Sequence, residues 1–181
     1  MSVPVGGRTI WFTGLPSSGK TTLAGAIADR LARAGRRVEL LDGDVVRTHL
    51  TKDLGFSRQD RATNVRRVGF VADLLSRNGV VVVCALVSPY REDRDYVRRL
   101  HGGLYFEVHV ATPVGVFAER DVKGLYARQR AGQLRGLSGV DDPYEVPLSP
   151  DVAVHTQCQT VDESVEMIWQ PLCRSMEVFG R

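Results

Sequence analysis

An eight-residue segment near the start of the chain constrains the fold more than any other feature. Residues 14–21 read Gly-Leu-Pro-Ser-Ser-Gly-Lys-Thr, which matches the spacing G-x-x-x-x-G-K-T. Residues 9–13 are β-branched and aromatic and predict a buried strand, and residues 20 to about 34 predict a helix. A strand, a glycine-containing loop and a helix in this order are the context that a phosphate-binding loop requires. The alternative is a glycine-rich turn that precedes a helix by chance.

The residue types in this loop suit the phosphates of ATP. Backbone N–H groups of such a loop surround the phosphates, and the following helix adds positive potential at its N-terminus. We expect Lys20 to reach the β- and γ-phosphates and the hydroxyl of Thr21 to hold Mg²⁺. The residues predicted to bind ATP here are Gly14, Leu15, Pro16, Ser17, Ser18, Gly19, Lys20 and Thr21.

Composition argues against several other classes of protein. A net charge of +3, with no run of five basic residues, argues against nucleic-acid binding. No apolar stretch reaches the length of a membrane span, and residues 1–8 lack the apolar core of a signal peptide. The three cysteines, Cys84, Cys158 and Cys173, are far apart, which indicates neither a zinc site nor a disulfide framework. We therefore expect a cytoplasmic protein.

Predicted strands and helices alternate along the chain. Further strands are predicted at residues 38–41, 80–86, 105–110 and 152–155. Further helices are predicted at about residues 65–77, 93–100 and 161–173, with a short one opening at Pro113. The alternation predicts one α/β domain over residues 1–181, in which helices cover both faces of a parallel sheet.

Polar segments follow the first three predicted strands and should meet at one edge of the sheet, because ligands bind beyond the carboxyl ends of parallel strands. The phosphate-binding loop follows the first strand, residues 42–44 follow the second, which we expect to be buried, and residues 88–91 follow the third. Phosphoryl transfer needs a carboxylate for Mg²⁺ or one that orients the attacking hydroxyl, and Asp42 and Asp44 are the candidates. A plain Asp-Gly turn is the alternative.

Arg47, Arg61 and Asn64 come next along the chain. A guanidinium group binds a phosphate with two parallel hydrogen bonds, so these residues suit a second, phosphate-bearing substrate. Polar residues on an exposed helix face are the alternative.

A series of motifs in one order resembles the adenylylsulfate kinase, or APS kinase, family over residues 8 to about 172. The matching segments are residues 14–22, 41–47, 54–61, 64–68, 87–91, 120–121, 123–126 and 139–145. The resemblance implies a P-loop kinase fold and the reaction of ATP with adenosine 5′-phosphosulfate (APS). The products are ADP and 3′-phosphoadenosine 5′-phosphosulfate (PAPS), and the acceptor is the ribose 3′-hydroxyl.

The resemblance also implies a role for each matching residue. Asp42 and Asp44 lie at the Mg²⁺ ion and the acceptor hydroxyl, with Asp44 as the orienting carboxylate and Thr21 and Asp42 as metal ligands. Thr22 and Arg120 join the ATP site. The implied catalytic residues are Lys20, Asp42, Asp44, Ser88 and Lys123. The implied acceptor-binding residues are Asp42, Asp44, Arg47, Phe56, Arg61, Asn64, Ser88, Pro89, Lys123, Leu125 and Leu137, with Phe56 stacked on the adenine.

Ser88 matches a serine that bacterial members of this family are described as phosphorylating. Transfer through a phosphoserine and direct in-line transfer to APS are both compatible with the sequence.

Residues 123–150 differ from the rest of the chain, because glycines and cationic side chains replace periodic apolar ones. A cationic, flexible flap can close over two anionic nucleotides and exclude water, which would otherwise compete as the acceptor. We therefore predict a mobile lid at about residues 123–150. An ordinary exposed loop is the alternative, although its length argues against that.

Leu137 stands where members of the family commonly have a phenylalanine that stacks on the adenine of the acceptor. Base stacking contributes about 1–3 kcal/mol. We expect APS to bind more weakly here than in relatives with both aromatic rings, so Leu137→Phe should lower the Michaelis constant for APS. Steady-state kinetics will check this, and an unchanged or higher constant would contradict it.

The resemblance also implies partners, and three other functions are alternatives to the one that it implies. The resemblance implies a homodimer, and a separate ATP sulfurylase could supply APS. Alternatives are a P-loop kinase for another small-molecule hydroxyl, a GTPase-like switch and an inactive interaction module. A GTPase needs a guanine-reading Asn/Thr-Lys-x-Asp motif, and residues 51–54 have their aspartate one position too early.

Overall fold

The structure is a computed structural model that describes residues 6–112, 131, 138–140 and 142–178. Its strands are β1 (Arg8–Thr13), β2 (Val38–Asp42), β3 (Val81–Ala85), β4 (Tyr105–Val110) and β5 (Val152–Val154). Its helices are α1 (Lys20–Arg33), α2 (Gly43–His49), α3 (Arg58–Ser76), α4 (Arg91–His101) and α5 (Val161–Val178).

The strands of the described residues form one parallel sheet in the order β2-β3-β1-β4-β5. The chain leaves β1 toward β2 on one side and leaves β4 toward β5 on the other side. The carboxyl ends of β1 and β4 therefore form a switch point, where ligands of open α/β sheets bind. The phosphate-binding segment begins directly after β1.

Helices cover both faces of the sheet, as the alternation predicts. Ile10 and Phe12 of β1 are fully buried with Leu23, Ile27 and Leu31 of α1 on one face. The intervening residue Trp11 faces the opposite way, because side chains of a strand alternate, and it packs in a second cluster. That cluster includes Val65, Val68 and Ala72 of α3. The predicted α/β P-loop kinase fold is therefore confirmed.

Two features near the second strand differ from the sequence-based expectations. Strand β2 is half-exposed rather than buried, because it lies at the edge of the sheet. Helix α2 begins at Gly43, where the sequence analysis predicted no helix. The side chain of Asp42 caps it, since Oδ1 accepts a hydrogen bond from Asp44 N at 3.0 Å.

The predicted helix at Pro113 lies outside the described residues. None of the helices in the described ranges combines the length and apolar character needed to cross a membrane.

Candidate active site

The phosphate-binding loop has a backbone that its glycines make possible. A Cβ atom at Gly14 would lie 2.6 Å from the carbonyl oxygen of Val110, at the end of β4, so a side chain does not fit. Ser17 and Gly19 have positive φ angles of 61° and 95°, and α1 begins at the next residue, Lys20. When successive residues alternate between right-handed and left-handed helical backbone conformations, their N–H groups point into one concave surface that binds anions.

Lys20 extends across this loop. Its Nζ donates a hydrogen bond to the carbonyl oxygen of Leu15 at 2.7 Å and lies 3.4 Å from Ser18 Oγ. The side chain is buried, so the loop holds the ammonium group close to its backbone. This is the position from which a lysine acts as a point charge on phosphates.

Two threonines beyond the ends of β4 and β5 support the loop, and sequence reasoning missed both. Thr156 Oγ1 donates to the carbonyl oxygen of Ser18 at 3.1 Å, and Thr112 Oγ1 lies 2.6 Å from Thr156 Oγ1. Their only sequence signal is that each follows a predicted strand. Which loop they touch depends on the strand order.

The hydroxyl of Thr21 and the carboxylate of Asp42 meet at the start of α1. Thr21 Oγ1 donates to Asp42 Oδ2 at 2.7 Å, which joins the ends of β1 and β2 as predicted. Oxygen donors of this kind suit Mg²⁺, which is bound through one or two carboxylates and keeps water and phosphate oxygens as other ligands. The described residues contain no group of three or more metal-ligating side chains, so a closed all-protein metal cage is not found among them.

Arg47, Arg61 and Phe56 form a cationic cluster beside these groups. The guanidinium carbons of Arg47 and Arg61 lie 4.5 and 5.5 Å from the centre of the Phe56 ring. Arg61 is buried, whereas Phe56 is 62% exposed, so the ring has an open face that a ligand can reach. Burial and the neighbouring Arg61 lower the pKa of Arg47. The cluster therefore offers both charge and an aromatic surface to an anionic ligand that carries a base.

Asn64 lies behind the arginines on α3 and is buried. Its Oδ1 accepts a hydrogen bond from Thr51 Oγ1 at 2.7 Å. Contact with a substrate would therefore use the NH₂ group of the amide.

Ser88 lies in the turn after β3, and its hydroxyl is held inside the protein. Ser88 Oγ accepts a hydrogen bond from Trp11 Nε1 and donates one to Thr13 Oγ1, both at 3.0 Å. The residue is 2% exposed and has a φ of 40°. A phosphoryl group would reach this oxygen only after these contacts opened. The predicted catalytic role of Ser88 stays a prediction.

The segment at residues 142–147, which the sequence analysis placed in the predicted lid, lies against the turn after β3. Asp142 Oδ2 lies 3.2 Å from Arg61 Nε and accepts a hydrogen bond from Tyr90 Oη at 3.3 Å. Burial, and secondly the charge of Asp142, raise the pKa of Tyr90. Glu145 N donates to the carbonyl oxygen of Pro89 at 2.8 Å. Asp142 therefore supplies a counter-charge to the cationic cluster.

Four of the predicted site residues lie outside the described residues, namely Arg120, Lys123, Leu125 and Leu137. Most of the predicted lid also lies outside them. Their roles stay predictions.

A buried histidine beside the site predicts a loss of stability in acid. His109 stacks on Tyr144 with a centroid distance of 6.1 Å. Burial, then the charges of Arg94 and His155, lower the pKa of His109 from its ordinary 6.5 to about 4. Below pH 6.5 the unfolded chain binds a proton at this residue that the folded protein does not bind. The free energy of unfolding therefore decreases as the pH is lowered. We expect the titration of His109 to lower the free energy of unfolding by about 2 kcal/mol when the pH is changed from about 7.5 to 5.

Urea unfolding at both pH values will check this result. His109→Phe keeps an aromatic ring against Tyr144 but cannot titrate, so it should lose about 2 kcal/mol less than the parent protein on acidification. Equal losses in the two proteins would show that other groups account for the pH dependence.

The fold and the site together define a class. A phosphate-binding loop follows the central strand of a parallel sheet, and a hydroxyl, carboxylates and arginines lie beyond the same strand ends. This is the arrangement of a P-loop kinase.

Comparison with known proteins narrows the class. The family model for adenylylsulphate kinase matches residues 6–155, and the chain belongs to this family. The adenylyl-sulfate kinase of Rippkaea orientalis (strain PCC 8801 / RF-1) is 54% identical over 166 residues, which are 92% of this chain and 91% of that protein.

Solved structures agree with this assignment. The Mycobacterium tuberculosis APS kinase CysC, solved in complex with AMPPNP and APS, has a TM-score of 0.88 and 40% identity. That match covers 93% of this chain and 99% of the other chain. The hexameric APS kinase from Thiobacillus denitrificans has a TM-score of 0.74 and 38% identity, and the match covers 96% of this chain and 30% of that one.

Proposed function

We propose that this protein transfers the γ-phosphoryl group of ATP to the ribose 3′-hydroxyl of APS, and that the loop and cluster described above hold the two nucleotides. The family supports the reaction, which yields PAPS and ADP. The chain is thus an adenylyl-sulfate kinase, and the assignment of its individual residues is the further part of the proposal.

On the donor side, the loop from Gly14 to Thr22 binds the phosphates of ATP through its backbone N–H groups. Lys20 neutralises charge on the β- and γ-phosphates. Because its ammonium group is already held within the loop at Leu15, little reorganisation is needed when the phosphates bind. Arg120 belongs to this side by resemblance.

Thr21 and Asp42 hold Mg²⁺, and their oxygen atoms suit it. When bound there, Mg²⁺ would offset the negative charge of the phosphates in the transition state. The hydrogen bond between Thr21 and Asp42, at 2.7 Å, keeps both oxygens close together before they share a ligand.

On the acceptor side, Arg47, Arg61 and Asn64 bind the phosphosulfate end of APS, and Phe56 stacks on its adenine. The open ring of Phe56 and its two guanidinium neighbours support this assignment. Asp44 accepts a hydrogen bond from the 3′-hydroxyl and orients it for in-line attack. Direct transfer to APS is favoured over a phosphoserine, because Ser88 Oγ is buried and hydrogen-bonded on two sides.

The lid completes the site in this proposal. Lys123 reaches toward the phosphates, Leu125 and Leu137 line the acceptor pocket, and Pro89 borders it. Closure excludes water, so that APS rather than water accepts the phosphoryl group.

One observation supports the residue assignment most directly. The hydrogen bond from Thr21 to Asp42 joins the phosphate-binding loop to the end of β2, and α2, which carries Arg47, begins at the next residue. Donor and acceptor groups therefore lie along one continuous surface at the strand ends.

A coupled assay that measures ADP release will test the reaction. With ATP and Mg²⁺, we expect APS to be used at least about a hundredfold more efficiently than nucleosides, sugar acids or water. Chromatography should identify PAPS as the product. Faster turnover of another hydroxyl compound would overturn the choice of acceptor and favour a P-loop kinase of different specificity.

The protein is proposed to act as a cytoplasmic homodimer, with APS supplied by a separate ATP sulfurylase. One related APS kinase is described as hexameric, which supports self-association within the family. Light scattering on the purified protein will give the oligomeric state.

A further inference from the structure

Arg94 on α4 is one of the largest fully buried side chains of the described residues, with 2% exposure. A buried guanidinium group is unfavourable unless its charge and its N–H groups are satisfied. The sequence analysis assigned Arg94 no role. The partners of Arg94 therefore need a separate explanation.

The three nitrogens of this guanidinium group contact three different parts of the chain. Nη1 donates to the carbonyl oxygen of Ser88 at 2.6 Å, and Nη2 donates to the carbonyl oxygen of Glu145 at 2.5 Å. Nε lies 3.3 Å from Oε1 of Glu107, a buried carboxylate of β4 that balances the charge. The side chain thus joins the turn after β3 to the segment at residues 142–147.

Both backbone acceptors lie close to the cationic cluster. Ser88 has a φ of 40°, which a residue other than glycine keeps only when its surroundings hold it. Glu145 lies three residues after Asp142, which contacts Arg61 at 3.2 Å and Tyr90 at 3.3 Å. Movement of the 142–147 segment would therefore move the carboxylate that contacts Arg61, and the turn after β3 contacts the same carboxylate through Tyr90.

We propose that Arg94 is a positioning residue for the acceptor half of the site. It fixes the Ser88 turn and the 142–147 segment relative to each other, and through Asp142 it sets the orientation of Arg61. The inference rests on the proposed function, in which Arg61 binds APS. Arg94 donates to Ser88 and Glu145 rather than to the phosphate-binding loop, and Thr156 beyond β5 holds the Ser18 carbonyl of that loop, so we expect ATP binding to depend on Arg94 less than APS binding does.

Arg98 provides a matched control one helical turn further along α4. Its Nη2 lies 3.2 Å from Glu107 Oε2 and 3.2 Å from Asp151 Oδ2, and its guanidinium group stacks on Tyr105. Both arginines pair with the same buried carboxylate, but Arg94 is the one that donates to Ser88 and Glu145. If Arg94 acted only through its ion pair with Glu107, replacing Arg94 and replacing Arg98 would have the same effect on APS binding.

The experiment compares Arg94→Met, Arg98→Met and Glu107→Gln in steady-state kinetics with both substrates and in thermal unfolding. We expect Arg94→Met to raise the KM for APS at least about tenfold and to leave the KM for ATP within about twofold. Arg98→Met and Glu107→Gln should lower the melting temperature while both KM values stay within about twofold. An APS KM in Arg94→Met that matches the control, or a parallel rise for ATP, would overturn the proposal.

A second pair of variants covers the case in which Arg94→Met does not fold. The double variant with Arg94→Met and Glu107→Gln leaves no uncompensated carboxylate, and Arg94→Lys keeps the charge but cannot span two carbonyl groups. Both should show the same selective rise in the KM for APS, and its absence would overturn the proposal. A parent protein that does not phosphorylate APS would instead contradict the proposed function, before any variant is compared.

Discussion

Replacing Lys20 by alanine is expected to reduce phosphoryl transfer at least about a thousandfold, which corresponds to about 4 kcal/mol of transition-state stabilisation. The physical reason is the loss of a fixed positive charge from a loop that must bind a tetra-anion. The ammonium group of Lys20 lies 2.7 Å from the carbonyl oxygen of Leu15, within the predicted phosphate site. ADP release with ATP, Mg²⁺ and APS measures the effect.

The fold should survive this substitution. Alanine favours the first turn of a helix, and the loop keeps the hydrogen bonds from Ser18 N to the Leu15 carbonyl at 3.2 Å and from Leu23 N to the Gly19 carbonyl at 3.0 Å. Lys52 is exposed, and Lys52→Ala is the matched control, with activity expected to be unchanged. If Lys20→Ala kept a tenth or more of the parent rate, the assignment of the ATP site would be wrong.

The second large effect is expected for Asp44→Asn. We predict that kcat falls at least about a hundredfold, equivalent to about 2.7 kcal/mol, since a general base or orienting carboxylate typically contributes 10²–10⁴ in rate. The Michaelis constants should change little, because the lost interaction strengthens mainly in the transition state. Steady-state kinetics with varied APS and varied ATP will separate the two quantities.

Effects on stability should be small, because asparagine has the same shape and Asp44 is exposed in the first turn of α2. Loss of a negative charge there costs about 0.3–1 kcal/mol through the helix dipole. Asp29→Asn, at an exposed position of α1, controls for the change in net charge. A fall of less than about tenfold in kcat would show that Asp44 is peripheral to the chemistry.

The strands and helices with the clearest local patterns were predicted well. The strand at residues 105–110 has the predicted bounds, and α1 begins at Lys20 where the motif requires it. The run around residues 80–86 predicted a buried strand, and β3 is buried throughout. In each case the decisive contacts lie within a few residues, or the apolar run is long enough to indicate burial by itself.

Prediction was weaker where burial depends on position in the sheet. Strand β2 has an apolar sequence, yet it is half-exposed because it occupies an edge. Helix α2 was missed because an Asp-Gly-Asp sequence is typical of a turn, and the cap formed by Asp42 favours a helix only when the following residues pack.

The sequence alone determined the phosphate-binding motif, the parallel α/β architecture and the resemblance to one kinase family, since each depends on residue types at short, regular spacing. Only the tertiary structure decided that Arg94 is buried between Ser88 and Glu145, and that Asp142 contacts Arg61. Residues 94 and 145 lie 51 positions apart, and their contact exists because the strand order brings the turn after β3 beside a segment far along the chain. Local spacing carries no information about such contacts, because the same helix sequence can face solvent or the interior according to what the fold places against it.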